Sequence, residues 1–286
     1  MIKITFTRVI LFAFIFLFPN FINAQEIIPF RITKYNNIII KALVNNKDSL
    51  NLMFQIAMED ASISPERLNT AKSIIFENEI SENNSLKIGN LHLENIKFYD
   101  NELTGHEADG KIGTGIFKGK IYQIDYDNNQ FVIYDSLPLN DYQKMSFTKN
   151  EYGQIFITCK NIIENQSTEA NFLLQSGYSG GLIYSNEFAD SKKLSQKLEI
   201  TGEKTLRNSA NQSITTMQGV LPFLGISDLI LKNVSAGFFT GEIKKQKANY
   251  FVADLLRRFN WIFDMKMQIV YIKPSKYYNE PYFKIN

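Results

Sequence analysis

The stretch NFLLQSGYSGGLI, Asn171–Ile183, sets the problem of this chain. Phe172, Leu173 and Leu174 are apolar and lead into Gln175, Ser176 and Gly177. Small residues follow, and Leu182 and Ile183 restore the apolar pattern. That order describes a buried strand that hands one polar side chain, Gln175, to a tight turn. A glycine at such a turn lets backbone pack closely.

A second version lies upstream. YNNIIIKALVNNKDSLNLMFQIAMEDASISPERL, from Tyr35, can be set against YGQIFITCKNIIENQSTEANFLLQSGYSGGLIYSNEF, from Tyr152. Each has a strand-like run, an Asn-rich turn and a second apolar run ending in Gln. Gln55 and Gln175 then hold equivalent places. The middles also match: LKIGNLHLENIKF (Leu86–Phe98) resembles LPFLGISDLILKNVSAGFF (Leu221–Phe239), pairing Gly89 with Gly225 and Asn95 with Asn233. A third block runs from Ile112 (IGTGIFKGKIYQIDYDNNQFVIY) and again from Phe251 (FVADLLRRFNWIFDMKMQIVYI). Each has a short helix-like piece, a strand, an Asp-led turn and another strand. Asp125 and Asp264 are read as turn residues.

An internal repeat of this kind means two similar units. We expect an all-β chain of two lobes with few short helices, residues 25–140 and 141–286. The polar stretch ADSKKLSQKLEITGEKTLRNSANQS, from Ala189, is expected to be a surface excursion with helix at its start.

Residues 1–24 read differently. Lys3 and Arg8 precede ten apolar residues, Val9–Phe18, then Pro19 and FINA at Phe21–Ala24. This is the pattern of a secretory signal peptide cut between Ala24 and Gln25. The apolar run is too short for a membrane span, which needs about 20 residues. A secreted or periplasmic protein with no membrane attachment after cleavage is expected. Cleavage would leave 29 basic and 29 acidic residues, so nothing marks a nucleic-acid surface. The Lys244–Lys247 run reads as a solvated loop. Cys159 is the only cysteine, so no internal disulfide can form; it sits in a strand-like run and is expected to be buried. His92 and His106 lack metal-ligand spacing, and neither a metal nor another cofactor is expected.

The three duplicated blocks resemble the pepsin and retropepsin type of aspartic peptidase, and in particular its two-lobed bacterial secreted members. The family signature, apolar-apolar-Asp-Thr/Ser-Gly-small-Ser, occurs once per lobe on a strand-to-loop turn. In lobe two FLLQSGYSGGLI fits except at the aspartate, where Gln175 stands; Ser176 and Gly177 fill the next two places. In lobe one Gln55, Ile56 and Ala57 stand where Asp-Thr-Gly is expected, and DASIS (Asp60–Ser64) continues the pattern. A later glycine is kept at Gly113 and replaced by Val252 in the second lobe. The resemblance implies that Ile56, Ala57, Ser62, Ser176, Gly177, Tyr178 and Ser179 lie on the loops and cleft around the two glutamines.

The resemblance also implies a loss. Two neighbouring carboxylates share one proton, so that one activates water and the other protonates the amide oxygen. Glutamine offers only hydrogen bonds. With both aspartates gone, no catalytic residue is assigned, and the chain reads as a silent relative that binds peptide or protein in its inter-lobe cleft. Facing glutamines could satisfy one another, each amide donating to the other's carbonyl. One alternative is an active peptidase that recruits Glu59, Asp60 or Asp109; lobe two has no acidic residue in its loop, the nearest being Glu187 and Asp190. Another is an unrelated β-rich secreted protein, a sandwich or barrel. With both lobes in one chain, a monomer is expected.

Overall fold

The computed structural model describes residues 26–138, 141–207, 213–239 and 247–282. The segment read as a signal peptide and most of the Lys244–Lys247 run lie outside them. Among the described residues no helix is long and apolar enough to cross a membrane.

Strands dominate because Ile, Val, Phe and Leu recur in short runs, such as Ile38–Val44 and Ile155–Ile163, cut by asparagine turns. Asn45 and Asn46 turn the first hairpin with φ of 50° and 53°; Glu164 and Asn165 do the same in the second half with 52° and 63°. A left-handed pair of this kind matches the twist of a hairpin, and asparagine tolerates it better than most residues.

The strands form three sheets. A seven-stranded sheet comes from the first half, and it closes on itself where Ile38–Val44 meets Ile80–Ile88 through Leu43–Lys87 and Val44–Leu86. An eight-stranded sheet comes from the second half and closes at the corresponding place, Ile155–Ile163 against Ser213–Ile226. Closure of this kind hides strand edges and gives two barrel-like lobes.

The third sheet is shared, a feature that the reading of two separate lobes lacked. Glu26–Pro29, Gln130–Tyr134 and Ile121–Asp125 from the first half lie beside Phe259–Asp264, Ile269–Pro274 and Gln143–Ser146 from the second. The central seam pairs Ile124 with Trp261 and Tyr122 with Phe263. Its aromatic rings tie the halves together: Tyr122 stacks on Phe117 at 4.2 Å and on Phe263 at 5.1 Å. All three rings and Trp261 are fully buried. Burial of one large apolar side chain contributes roughly 1.5–3 kcal/mol, so this seam is a main source of cohesion between the halves.

The duplication holds in detail. Asp125 and Asp264 each end a strand, and each Oδ1 accepts from two backbone N–H groups of the following turn: Asp127 and Asn128, Lys266 and Met267. The short helices Thr114–Phe117 and Ala253–Leu256 precede those strands. Asn95 and Asn233 share a left-handed backbone at the same place in their hairpins, with φ of 59° and 51°. The pairing of Gly89 with Gly225 is corrected. The hairpins close at Ile88–Leu91 and Ile226–Leu229, so the counterpart of Gly89 is Ser227. Ser227 adopts the left-handed φ of 50° without being glycine, and that hid the match. The expected surface excursion does begin with helix, Asn186–Lys192 and Leu194–Lys197, but Glu199–Arg207 then forms a strand beside Ser213–Ile226. Cys159 is buried, and burial raises its thiol pKa far above the usual range.

Candidate functional site

Two parallel strand pairs present the glutamines. Asp48–Phe54 runs beside Gly110–Ile112, and the Gln55 N–H continues the ladder by donating to Ile112 O at 2.9 Å. Gln166–Gln175 runs beside Asn249–Val252, with Gln175 opposite Val252. Gln55 therefore stands beside Gly113 as Gln175 stands beside Val252. Each turn then doubles back under its neighbour. Backbone N–H groups of Gly113, Thr114 and Gly115 donate to the carbonyls of Asp60, Met58 and Glu59; those of Val252, Ala253 and Asp254 donate to Gly181, Tyr178 and Gly180. The two loops thus share one plan.

They meet at their tips. A Cβ on Gly177 would lie 2.6 Å from Gln55 Nε2 and 3.2 Å from Gln175 Oε1, so the two amides are neighbours. Ser176 joins the lobes: its Oγ accepts from the Ile56 N–H at 3.0 Å and donates to Phe54 O at 2.6 Å. The mirror bond would need a hydroxyl at residue 56, and isoleucine has none. Gln55 takes that place, its Oε1 accepting from the Ser176 N–H at 3.2 Å and from the Ala57 N–H at 3.3 Å. Two backbone N–H donors fix the oxygen, not the nitrogen, at that end of the amide.

Gln175 behaves differently. Its Oε1 accepts from the Gly177 N–H within its own loop, at 2.8 Å. Mutual donation between the two amides, as the sequence suggested, does not occur. The asymmetry follows from the third residue of each turn. Gly177 leaves the space into which Gln55 reaches. At the equivalent place lobe one carries the Ala57 methyl, and no hydrogen bond of Gln175 crosses to lobe one.

Outer turns brace this junction from both sides. In Thr33–Asn37 the Thr33 Oγ1 accepts from the N–H groups of Tyr35 and Asn37; in Asn150–Gln154 the Asn150 Oδ1 accepts from Tyr152 and Gln154. Asn36 and Gly153, at matched places, have φ of 66° and 73°. Asn37 Nδ2 then donates to Ser176 O at 2.8 Å, and Gln154 Nε2 to Ala57 O at 3.4 Å. Each lobe thus holds the other's loop by a side-chain amide. No sequence motif marked Asn37 or Gln154. The only clue was that both follow the aligned tyrosines Tyr35 and Tyr152.

The structure sorts the remaining expected site residues. Ile56 and Ser176 are buried within the junction, and Ala57, Gly177, Tyr178 and Ser179 are partly exposed around it. Ser62 is corrected: it is fully buried in the strand Ala61–Ile63, between Gly110–Ile112 and Leu91–Tyr99, and cannot line a cleft. Asp109 is corrected as a recruited carboxylate. Its Oδ1 accepts from the N–H groups of Leu68 and Asn69, and its Oδ2 from Asn51 N–H and Asn69 Nδ2, all within 2.9 Å. Burial alone would raise its pKa; the hydrogen bonds outweigh that and hold it below 3.8. It is a fixed acceptor that ties three segments together.

Glu59 pairs with Lys118 at 3.5 Å on the surface. Asp60 is exposed, but partial desolvation by its surroundings raises its pKa, with Glu59 adding to the rise and Lys97 and Tyr99 opposing it. Neither carboxylate shares a hydrogen bond with Gln55 or Gln175. Glu187 and Asp190 are exposed on the helix Asn186–Lys192. Among the described residues no three His, Cys, Asp or Glu side chains converge as a metal site requires.

Side chains alternate along a strand, so Met53 shares the face of Gln55, and Leu173 that of Gln175. Their strand neighbours on those faces are Lys111 and Tyr250. Lys111 is buried and its ammonium pairs with Glu102 at 3.1 Å. Tyr250 lies near Tyr178, ring centres 6.1 Å apart, over Ile183, Phe239 and Val252. The flanks of the glutamine pair thus differ: one carries a charged pair, the other an aromatic-apolar patch.

No family model matches the chain, and no curated protein matches it. Among solved structures, the crystal structure of the aspartic proteinase from Irpex lacteus is similar, with a TM-score of 0.58 at 9% identity, over 90% of this chain and 99% of that one. At that identity the likeness is one of fold: the chain has the two-lobed fold of a pepsin-like aspartic proteinase.

Proposed function

We infer that this chain is a secreted, catalytically silent aspartic-peptidase-like protein that binds an extended peptide between its lobes. One observation carries the reading. Gln55 and Gln175 meet at the two strand-to-loop turns, where the resemblance would put the shared-proton carboxylates, and both amide oxygens accept from backbone N–H donors. An amide in that state can neither take a proton from water nor give one to a peptide carbonyl. The loops, the Ser176 bridge and the outer turns keep the lobes in register, so what survives is a shaped junction without proton chemistry. Peptide capture by backbone bonding needs no carboxylate. Its specificity would come from the unequal flanks, Lys111 with Glu102 on one side and Tyr178 with Tyr250 on the other. The apolar run near the N-terminus, Val9–Phe18, supports export.

The test is a random peptide mixture incubated with purified protein from acid to neutral pH, read by mass spectrometry, with peptide retention measured in parallel. Retention without new termini is expected, and Tyr178→Ala should weaken it. Cleavage that disappears in Gln55→Ala would overturn the silent reading. Absence of any retained peptide would overturn the binding one.

A further inference from the structure

A second site lies on lobe two, away from the lobe junction. The helices Asn186–Lys192 and Leu194–Lys197 pack beside the hairpin Ile155–Ile163 and Gln166–Gln175 and leave a groove of about 360 Å³. That volume falls within the roughly 300–1,000 Å³ usual for small-molecule sites. Lys192, Lys193 and Lys197 line it, with Gln166, Thr168 and the ring of Phe188. The charge is local, because the whole chain carries only +2.

Local geometry concentrates that charge. Phe188, Ser191 and Lys192 stand at i, i+3 and i+4, so one helix face turns to the groove and the acidic Glu187 and Asp190 stay out of its lining. Lys197 is neutralised by Glu164 at 3.3 Å. Among the described residues, Lys192 and Lys193 have no carboxylate at ion-pair distance. Lys193 also holds a left-handed backbone, φ 55° and ψ 44°, at the joint between the two helices. Glycine or asparagine commonly takes such a place. A lysine there is conformationally unfavourable, yet Lys193 is among the residues that line the groove.

The floor is polar and already satisfied. Asn161 is buried, its Nδ2 donating to Thr168 O and its Oδ1 accepting from the Tyr184 hydroxyl. Gln166 and Thr168 carry neutral hydrogen-bonding groups beside the lysines. Cations with neutral donors inside a concavity focus a positive potential and suit a tetrahedral oxyanion, and the Phe188 ring offers an apolar face to whatever carries it.

We propose that this groove binds a small phosphate or sulfate ester, its anionic group held by Lys192 and Lys193 and its organic part resting against Phe188. The test is calorimetric titration of the intact protein with a sugar phosphate, the matching sugar sulfate and the uncharged parent sugar. The esters should bind, the parent sugar should not, and the stronger of the two esters identifies the source. Lys193→Asn keeps a residue that tolerates the left-handed backbone, so its melting temperature should match or exceed that of the parent, while ester affinity falls about tenfold for a lost charge-assisted bond. Lys192→Gln should do the same. Equal binding of the parent sugar, or unchanged ester affinity in both variants, would overturn the proposal.

Discussion

Gln55 accepts across the lobe junction from the Ser176 backbone N–H, at 3.2 Å, and so supplies the acceptor that Ile56 cannot. Gln55 is thus a structural tie between the lobes. Gln55 is also more deeply buried than Gln175. Gln55→Ala should therefore leave the Ser176 and Ala57 N–H groups unsatisfied, at a cost of about 1–3 kcal/mol. Gln175→Ala loses one bond within its own partly exposed loop and should cost about 1 kcal/mol or less. Urea denaturation of the two variants tests the order; equal losses would contradict the asymmetry.

Introducing carboxylates at residues 55 and 175 should not create a peptidase. Aspartate at residue 55 is one methylene shorter than the glutamine that now reaches Ser176, and Ile56 still lacks the hydroxyl of a reciprocal bridge. On the opposite side the Ala57 methyl fills the place that Gly177 leaves open. The double variant Gln55→Asp, Gln175→Asp should stay at background peptide turnover between about pH 2 and 5, roughly the range in which a shared-proton pair holds its one proton. Turnover clearly above background would show that the junction tolerates a working pair after all.

The fold was legible where chemistry repeats. Paired apolar runs, asparagine turns and the Asp125 and Asp264 turns are local signals, and each recurs at the same place in both halves. The Gly89–Gly225 match failed because one hairpin makes its left-handed turn with Ser227, which composition does not flag. The shared sheet was illegible because its seam joins residues far apart in sequence, such as Ile124 and Trp261. At the site, the loops were visible but the direction of each amide was not. That direction depends on a methyl at Ala57 and its absence at Gly177, a contrast that acquires meaning only when the loops face each other. Asp109 looked like a spare acid because sequence does not reveal how many N–H donors surround a carboxylate.

The equivalent residues Gly113 and Val252 should both lose stability as alanine, for opposite reasons: crowding at one and a cavity at the other. A Cβ on Gly113 would stand 2.4 Å from Met58 O and 2.6 Å from both the carbonyl carbon and the oxygen of Glu59, all backbone. The Gln55 loop must open to admit it, so Gly113→Ala should cost about 3 kcal/mol or more, at the upper end for overpacking. Val252 is fully buried against Ile183 and Phe239. Val252→Ala should leave a small cavity and cost about 1–3 kcal/mol. Thermal denaturation distinguishes the two, and a mild effect at Gly113 would show that the loop is looser than its hydrogen bonds suggest.

Asp109 gives a pH signature. Its folded pKa lies below the ordinary 3.8 because burial, which would raise it, is outweighed by bonds from Asn69, Asn51 and Leu68. A carboxylate with a depressed folded pKa binds fewer protons folded than unfolded. Its contribution is therefore fully present above the unfolded value and is lost as pH falls through the folded one. Asp109→Asn keeps the shape but loses the charge and presents an amide N–H₂ to donors, so it should cost about 2–4 kcal/mol at neutral pH. The gap between parent and variant should hold down to about pH 4 and then narrow toward pH 2. Denaturation midpoints across that range measure it directly. A gap that stays constant into strong acid would mean that Asp109 acts through packing alone, and its four hydrogen bonds would need another explanation.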